Sequence, residues 1–121
     1  MSNIVRSGQR PVGVHLIVNL YDIRDEDLLC YIWKGRQITS DIIEHLDLHV
    51  VGETGHQFEP YGYTIAYALS ESHLTIHTYP EYRSAYLDIF CCNPRFNPMD
   101  GIRVLKEAFQ TESATHTIIR R

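Results

Sequence analysis

The sequence predicts an α+β domain: a mainly antiparallel sheet in a two-layer sandwich, with helices on one face. Three observations carry that reading. Segments with bulky residues at every second position recur along the chain, apolar residues at helical spacing occupy two others, and the two kinds mix without regular βαβ alternation. The 121 residues fit one domain, and a chain of that size buries roughly two thirds of its unfolded surface. Residues 1–11 carry Gly8 and Pro11 with little periodicity and read as a loose lead-in, leaving 12–121 as the domain.

From Val12 to Tyr21 the chain alternates, with Val12, Val14, Leu16, Val18 and Leu20 on one side, which predicts a first strand. Leu28–Trp33 fits a helical turn or a strand equally well. Asp41 followed by Glu44, with Ile42, Ile43 and Leu46 as an apolar stripe, predicts a short helix near 40–47. Leu48–Val51 is apolar, Gly52 and Gly55 interrupt it, and His56–Gly62 reads as a strand end and turn.

The next segments are more specific. Tyr63, Ile65, Tyr67 and Leu69 set the bulky face at odd positions, whereas Leu74 and Ile76 set it at even ones. The parity slips between Ser70 and His73, so a tight turn or bulge is expected there, with irregular backbone at the Glu71–Ser72 bond. In the third segment Ala85, Leu87, Ile89 and Cys91 share one face and Tyr86, Asp88, Phe90 and Cys92 the other. The face opposite the aliphatic one therefore collects Thr64, Thr75, His77, Asp88 and Cys92, and a hydroxyl, an imidazole and a thiol are expected to converge near the irregular bond. Pro98 opens a helix through Gln110, and Thr115–Ile119 closes as a strand. The polar sheet face needs a cover, which a symmetric homodimer would provide.

Composition narrows the function classes. Lys and Arg number 11 against 15 Asp and Glu, with no basic stripe, which argues against nucleic acid. No apolar run is long enough to span a bilayer and the first ten residues lack a signal-peptide stretch, so a cytoplasmic protein is expected, with no membrane partner. Cys30, Cys91 and Cys92 are an odd count, and strand neighbours point apart, so reduced thiols are expected. His73 and His77 are four apart, but no third ligand has suitable spacing, so no metal is expected.

The run Ser70-Glu71-Ser72-His73-Leu74, then Ile76-His77-Thr78, Pro80-Glu81-Tyr82 and Phe90-Cys91-Cys92, resembles the core motif of the prokaryotic S-adenosylmethionine decarboxylases. The resemblance runs from about Gly13 to the last strand and is close from His56 to Cys92. It implies a self-cleaving proenzyme, cut between Glu71 and Ser72 into a β chain, 1–71, and an α chain, 72–121. It also implies that Ser72 becomes a covalent pyruvoyl group, whose ketone forms a Schiff base with a substrate amine and acts as the electron sink for decarboxylation. S-adenosylmethionine would be the substrate and polyamine synthesis the context.

The same resemblance assigns roles residue by residue. His77 would act in the elimination step and stack on adenine, Cys92 would donate a proton, and Thr64, where a serine is usual, would assist processing. Phe58 would stack on adenine and Glu81 would hold the ribose hydroxyls. Phe58 and Tyr79 would line a pocket suited to a sulfonium cation. Without the resemblance, each of these has an ordinary reading: a turn hydroxyl, a half-buried histidine, a core thiol, a strand threonine, a core aromatic, a solvated charge. The chain departs from the family at Tyr79 (usually Trp), Arg83 (Gly), Cys91 (Thr) and Asn93 (Gly). A pyruvoyl-dependent arginine or ornithine decarboxylase and an uncut, non-catalytic binding module are the alternatives.

Overall fold

A computed structural model describes residues 11–121; the expected lead-in, but for its last residue, lies outside them. Among the described residues, six strands form one sheet in the order β2-β3-β4-β5-β1-β6. They are β1 (Val14–Leu20), β2 (Val50–Gln57), β3 (Tyr63–Leu69), β4 (Ser72–Tyr79), β5 (Ser84–Cys91) and β6 (Ala114–Arg120). Every pairing is antiparallel. Helices α1 (Asp27–Cys30), α2 (Ile32–His45) and α3 (Pro98–Ala108) complete the second layer. The expected α+β sandwich is the observed one.

The period-two pattern sets the core. Leu16, Val18, Leu20, Ile65, Leu74, Ile76, Leu87 and Ile89 are all buried on the helix side of the sheet, with Ile42, Leu105 and Phe109 from the helices. Each such side chain contributes about 1.5–3 kcal/mol on burial. The opposite residues of the same strands stay half-buried or exposed.

The segment between β1 and β2 differs from the expected short helix. Helix α2 begins at Ile32, about two and a half turns earlier than Asp41 suggested, because Tyr31 is extended (φ −123°, ψ 130°) and separates it from α1. Tyr31 offers no side-chain cap. Instead the Gln57 carboxamide oxygen, from the end of β2, accepts the Ile32 N–H at 2.7 Å. The Gln57 amide also donates to the carbonyls of Cys30 and Gly62, at 2.9 and 3.0 Å. A cap delivered from 25 residues away leaves no local signature. Gly52 and Gly55 likewise do not end the strand: β2 runs through both, with a register shift between Val50 and Gly52. As an edge strand it tolerates glycine, and Gly55 leaves room for the Ile32 side chain. Strand β1 is shorter than its alternation by a few residues, and α3 ends at Ala108. Asn97 caps α3, accepting from the Met99 and Asp100 N–H groups.

Tyr63 ties the layers together. Its hydroxyl donates to the Leu28 carbonyl at 2.7 Å and its N–H to Thr78 Oγ1 at 2.9 Å, while the Thr78 hydroxyl donates to the Leu29 carbonyl at 2.7 Å. The ring lies so close under α2 that a Cβ at Gly35 would meet it at 2.3 Å. Anchored at both ends, the ring has nowhere to move. Gly35→Ala gains up to about 1 kcal/mol of helix propensity but forces overpacking that typically costs 1–3 kcal/mol. A lower urea midpoint than wild type is expected; an equal or higher one would contradict this packing.

Candidate active site

The face turned away from the helices is laid out in rows by the strand register. One row runs His56, Thr64, His77, Tyr86, Asn19, Thr115; the next Thr54, Ala66, Thr75, Asp88, Ile17, Thr117; the third Ala68, His73, Phe90, His15, Ile119. The expected face residues Thr64, Thr75, His77 and Asp88 are thus all on it. In the third row His15 Nε2 lies 3.4 Å from Asp88 Oδ2 and its ring packs edge-on to His73. Burial, reinforced by the neighbouring His15, pulls the His73 imidazole below its ordinary value. Neither His15 nor this cluster stands out in the sequence, since their meeting depends on pairing β1 with β5.

At one end of the face, β3 turns into β4 through Ser70 and Glu71, so that Leu69 pairs with Ser72 and Ser72 with Cys91. The parity slip is this two-residue turn. Leu69 and Cys91 both face the helices, yet Ser72 borders a hollow on the other face with Thr54, Ala66, Ala68, His73 and Thr75. The backbone accounts for the difference, because Ser72 has φ 145°. A non-glycine residue held in such a region costs on the order of 1–3 kcal/mol, and strain of this kind clusters at functional sites.

The bond before Ser72 is fixed on its carbonyl side. The Cys92 N–H donates to the Glu71 carbonyl oxygen at 2.9 Å. The Glu71 carboxylate accepts the His49 N–H at 3.0 Å and its ring Nδ1–H at 2.7 Å. Burial pushes the Glu71 carboxyl up, but the His49 hydrogen bonds and charge outweigh this and hold it below the usual range. The bond to Glu71 raises the His49 imidazole in turn. His49 was not among the residues the sequence singled out; the partner that gives it meaning is 22 residues away. Cys92 is exposed and Cys91 buried, as alternation predicted, and burial lifts the Cys91 thiol above its ordinary value.

The other half of the candidate set lies at the far end of the face. Thr64 and His77 are directly opposite one another, with Thr64 Oγ1 3.0 Å from His77 Nδ1. Phe58 is exposed, its ring 4.7 Å from that of His56, and Tyr79 packs on Tyr86 at 5.4 Å. Glu81 sits exposed in the 3-10 turn Pro80–Tyr82, beside a cleft of about 570 Å³ bordered by Glu26, Tyr31 and Tyr61. Arg83 has φ 51°, the left-handed conformation in which glycine is unstrained, and its guanidinium pairs with Glu26 at 3.3 Å. The Arg83 charge is thereby directed to Glu26.

The expected convergence of hydroxyl, imidazole and thiol within one chain does not occur. His77 is five residues along β4 from Ser72, roughly 16 Å at the rise of a strand, and Tyr79 is roughly 23 Å away. Side-chain parity reports which face a residue occupies and is silent about distance along the strand. The candidates divide into two half-sites: Glu71, Ser72 and Cys92 at one end, Phe58, Thr64, His77, Tyr79 and Glu81 at the other. Among the described residues no group of three metal-ligating side chains is gathered, and no helix is long and apolar enough to cross a membrane.

Comparison with known proteins gives a consistent picture. The family model for S-adenosylmethionine decarboxylase matches residues 14–121. An S-adenosylmethionine decarboxylase proenzyme of Archaeoglobus fulgidus is 34% identical over 110 residues, 91% of this chain and 97% of that one. One of Thermotoga maritima is 33% identical over 103 residues, covering 85% and 78%. Over a shorter span, 50% of this chain and 45% of the relative, one of Acidithiobacillus ferrooxidans reaches 48%. The crystal structure of the adenosylmethionine decarboxylase of Aquifex aeolicus superposes with TM-score 0.84 at 22% identity, over 93% of this chain and 92% of that one, a likeness of fold.

The His49–Glu71 pair makes a pH-dependent contribution that a Ser72→Ala chain isolates. Glu71's lowered value makes its share available above the ordinary carboxyl value of 4.5, and that share is lost as pH falls through the folded value. His49's raised value makes its share complete below the ordinary imidazole value of 6.5, to be lost as pH rises through the folded one. Thermal midpoints of Ser72→Ala with and without His49→Ala should therefore differ most between these two values and converge on either side. A difference that stays constant from pH 4 to 8 would contradict the pairing.

Proposed function

The chain belongs to the S-adenosylmethionine decarboxylase family, and on that premise we propose that it cuts itself at Glu71–Ser72 and decarboxylates S-adenosylmethionine with the resulting pyruvoyl group. The observation that carries this is the backbone at the cut: φ 145° at Ser72, with the Cys92 N–H on the Glu71 carbonyl oxygen. Attack of the Ser72 hydroxyl on the Glu71 carbonyl carbon turns a peptide bond into an ester, which an ordinary backbone resists. Strain at Ser72 raises the starting state, and the Cys92 N–H sits where negative charge develops, the arrangement that typically lowers acyl-transfer barriers most. A base then removes the Ser72 α-proton, the Ser72 Cβ–O bond breaks with Glu71 leaving as a carboxylate, and hydrolysis of the dehydroalanine left behind releases ammonia and gives the pyruvoyl end. The residues present therefore fit a pyruvoyl group made in place.

His77 is not within reach of Ser72 in the same chain, and a second copy supplies it. Two sheets packing face to face lie about 10 Å apart. If a two-fold axis stacks the polar faces with β4 antiparallel to its partner, the Ser72 end of one copy lies over the His77 end of the other. Each site of this homodimer then takes Glu71, Ser72 and Cys92 from one chain and Thr64, His77, Phe58, Tyr79 and Glu81 from its partner. The half-apolar face, with Ile17, Phe90 and Ile119 in its rows, is suited to such burial.

In the composite site the Thr64 hydroxyl orients the His77 ring through Nδ1, leaving Nε2 to accept the Ser72 α-proton. Phe58 and the His77 ring offer flat surfaces for adenine. Two vicinal ribose hydroxyls match the two oxygens of Glu81, and the rings of Phe58 and Tyr79 suit a sulfonium. The pyruvoyl ketone, once formed, supplies the electron sink that makes loss of CO2 possible. Cys92, exposed at the Ser72 end, delivers a proton to the substrate carbon that has lost CO2, a role typically worth about 10²–10⁴-fold in rate. Arginine and ornithine have no adenine or ribose for Phe58 and Glu81 to hold. The expected location is the cytoplasm, and the product feeds aminopropyl transfer for polyamine synthesis.

Subunit complementation tests the composite site. Ser72→Ala and His77→Ala chains are each expected to be inactive alone, whereas their co-expression assembles one intact site per mixed dimer. CO2 release from S-adenosylmethionine should return to a substantial fraction of wild type, and exceed release from arginine or ornithine. No recovery in a verified mixed dimer would contradict the shared site; faster release from arginine would contradict the substrate.

A further inference from the structure

The turn that carries the cut is held from outside, by His49. Two-residue hairpin turns favour Asn, Asp or Gly, and Ser70-Glu71 offers neither Gly nor Asn. His49, just ahead of edge strand β2, is hydrogen-bonded to both residues of the turn. The His49 carbonyl accepts the Ser70 N–H at 2.8 Å, and its N–H and ring Nδ1–H both go to the Glu71 carboxylate. That carboxylate is only 11% exposed while the His49 side chain is 61% exposed. An exposed ring adds little packing, and a nearly buried carboxylate is costly unless paired. The geometry is that of a clamp on the residue whose carbonyl is attacked, with the Cys92 N–H gripping the other end of Glu71.

We infer that His49 is a positioning residue for self-cleavage, holding Glu71 so that its carbonyl carbon stays within reach of the Ser72 hydroxyl. The inference rests on the self-cleavage proposed above. In the assisted step the Ser72 Oγ–Glu71 C bond forms, the Glu71 C–Ser72 N bond breaks, and the hydroxyl proton ends on the freed amine. His49 touches none of these atoms and acts through Glu71. Asp47 Oδ1 lies 3.7 Å from the far ring nitrogen, on the solvent side.

Cutting of newly synthesised chains, followed by denaturing gel and intact mass, tests this. His49→Ala should slow cutting about 10–10²-fold, the scale of misplacing a reacting group. His49→Asn, whose amide reaches the position of Nδ1, should restore it to within a few-fold, while His49→Gln, whose amide lies one carbon further out, should not. Hydroxylamine, which cuts esters, should leave the uncut His49→Ala chain intact, because the deficit precedes the ester. Cutting of His49→Ala at the wild-type rate, equal rates for the Asn and Gln variants, or prompt release by hydroxylamine would each overturn the inference. If His49→Ala fails to fold, judged by its thermal midpoint with Ser72→Ala, the Asn–Gln comparison still decides. A wild type that is never cut overturns the self-cleavage reading and this inference with it.

Discussion

The register across β3, β4 and β5 is the constraint on which the site depends. With Leu69, Ser72 and Cys91 locked opposite one another, only two residues remain to reverse the chain, and the first residue of β4 is left at φ 145°. The same register brings the backbone just past β5 against the turn, where the Cys92 N–H meets the Glu71 carbonyl. Slipping β5 by one residue would remove that donor and exchange the buried and exposed thiols. The strain and the donor beside it therefore follow from one set of strand pairings, which the aliphatic face beneath enforces through burial.

The far group of candidate residues is held by a different set of contacts. Gln57 bonds to the α1–α2 junction and to the turn after β2, and Phe58 follows it directly. Tyr63 and Thr78 fasten β3 and β4 to α1. These bonds set where the aromatic end of the sheet projects. Helices on the covered face thus shape the open one without contributing a residue to it.

Much of this was legible in the sequence, and the failures have two physical causes. Strand parity located the turn at Ser70-Glu71 and separated Cys91 from Cys92, because a period-two pattern encodes sidedness directly. The motif resemblance named Ser72, His77 and Cys92. Neither source encodes how far apart residues of one face lie, so the gathering of Thr64, His77 and Cys92 within one chain was expected and is not found. The start of α2 and the role of His49 were hidden for another reason. Gln57 and His49 act through partners 25 and 22 residues away, and such contacts exist only once the sheet is assembled.

Everything proposed for the site requires that the strained bond before Ser72 break and leave a new chemical group. Intact mass of the purified wild-type protein tests it most directly. Two polypeptides are expected, one ending in the Glu71 carboxylate and one beginning with a pyruvoyl in place of Ser72, lacking a free amine. Ser72→Ala should give a single full-length chain. A wild type that remains one chain after prolonged incubation, or that yields a second fragment beginning with an ordinary serine, would contradict the account.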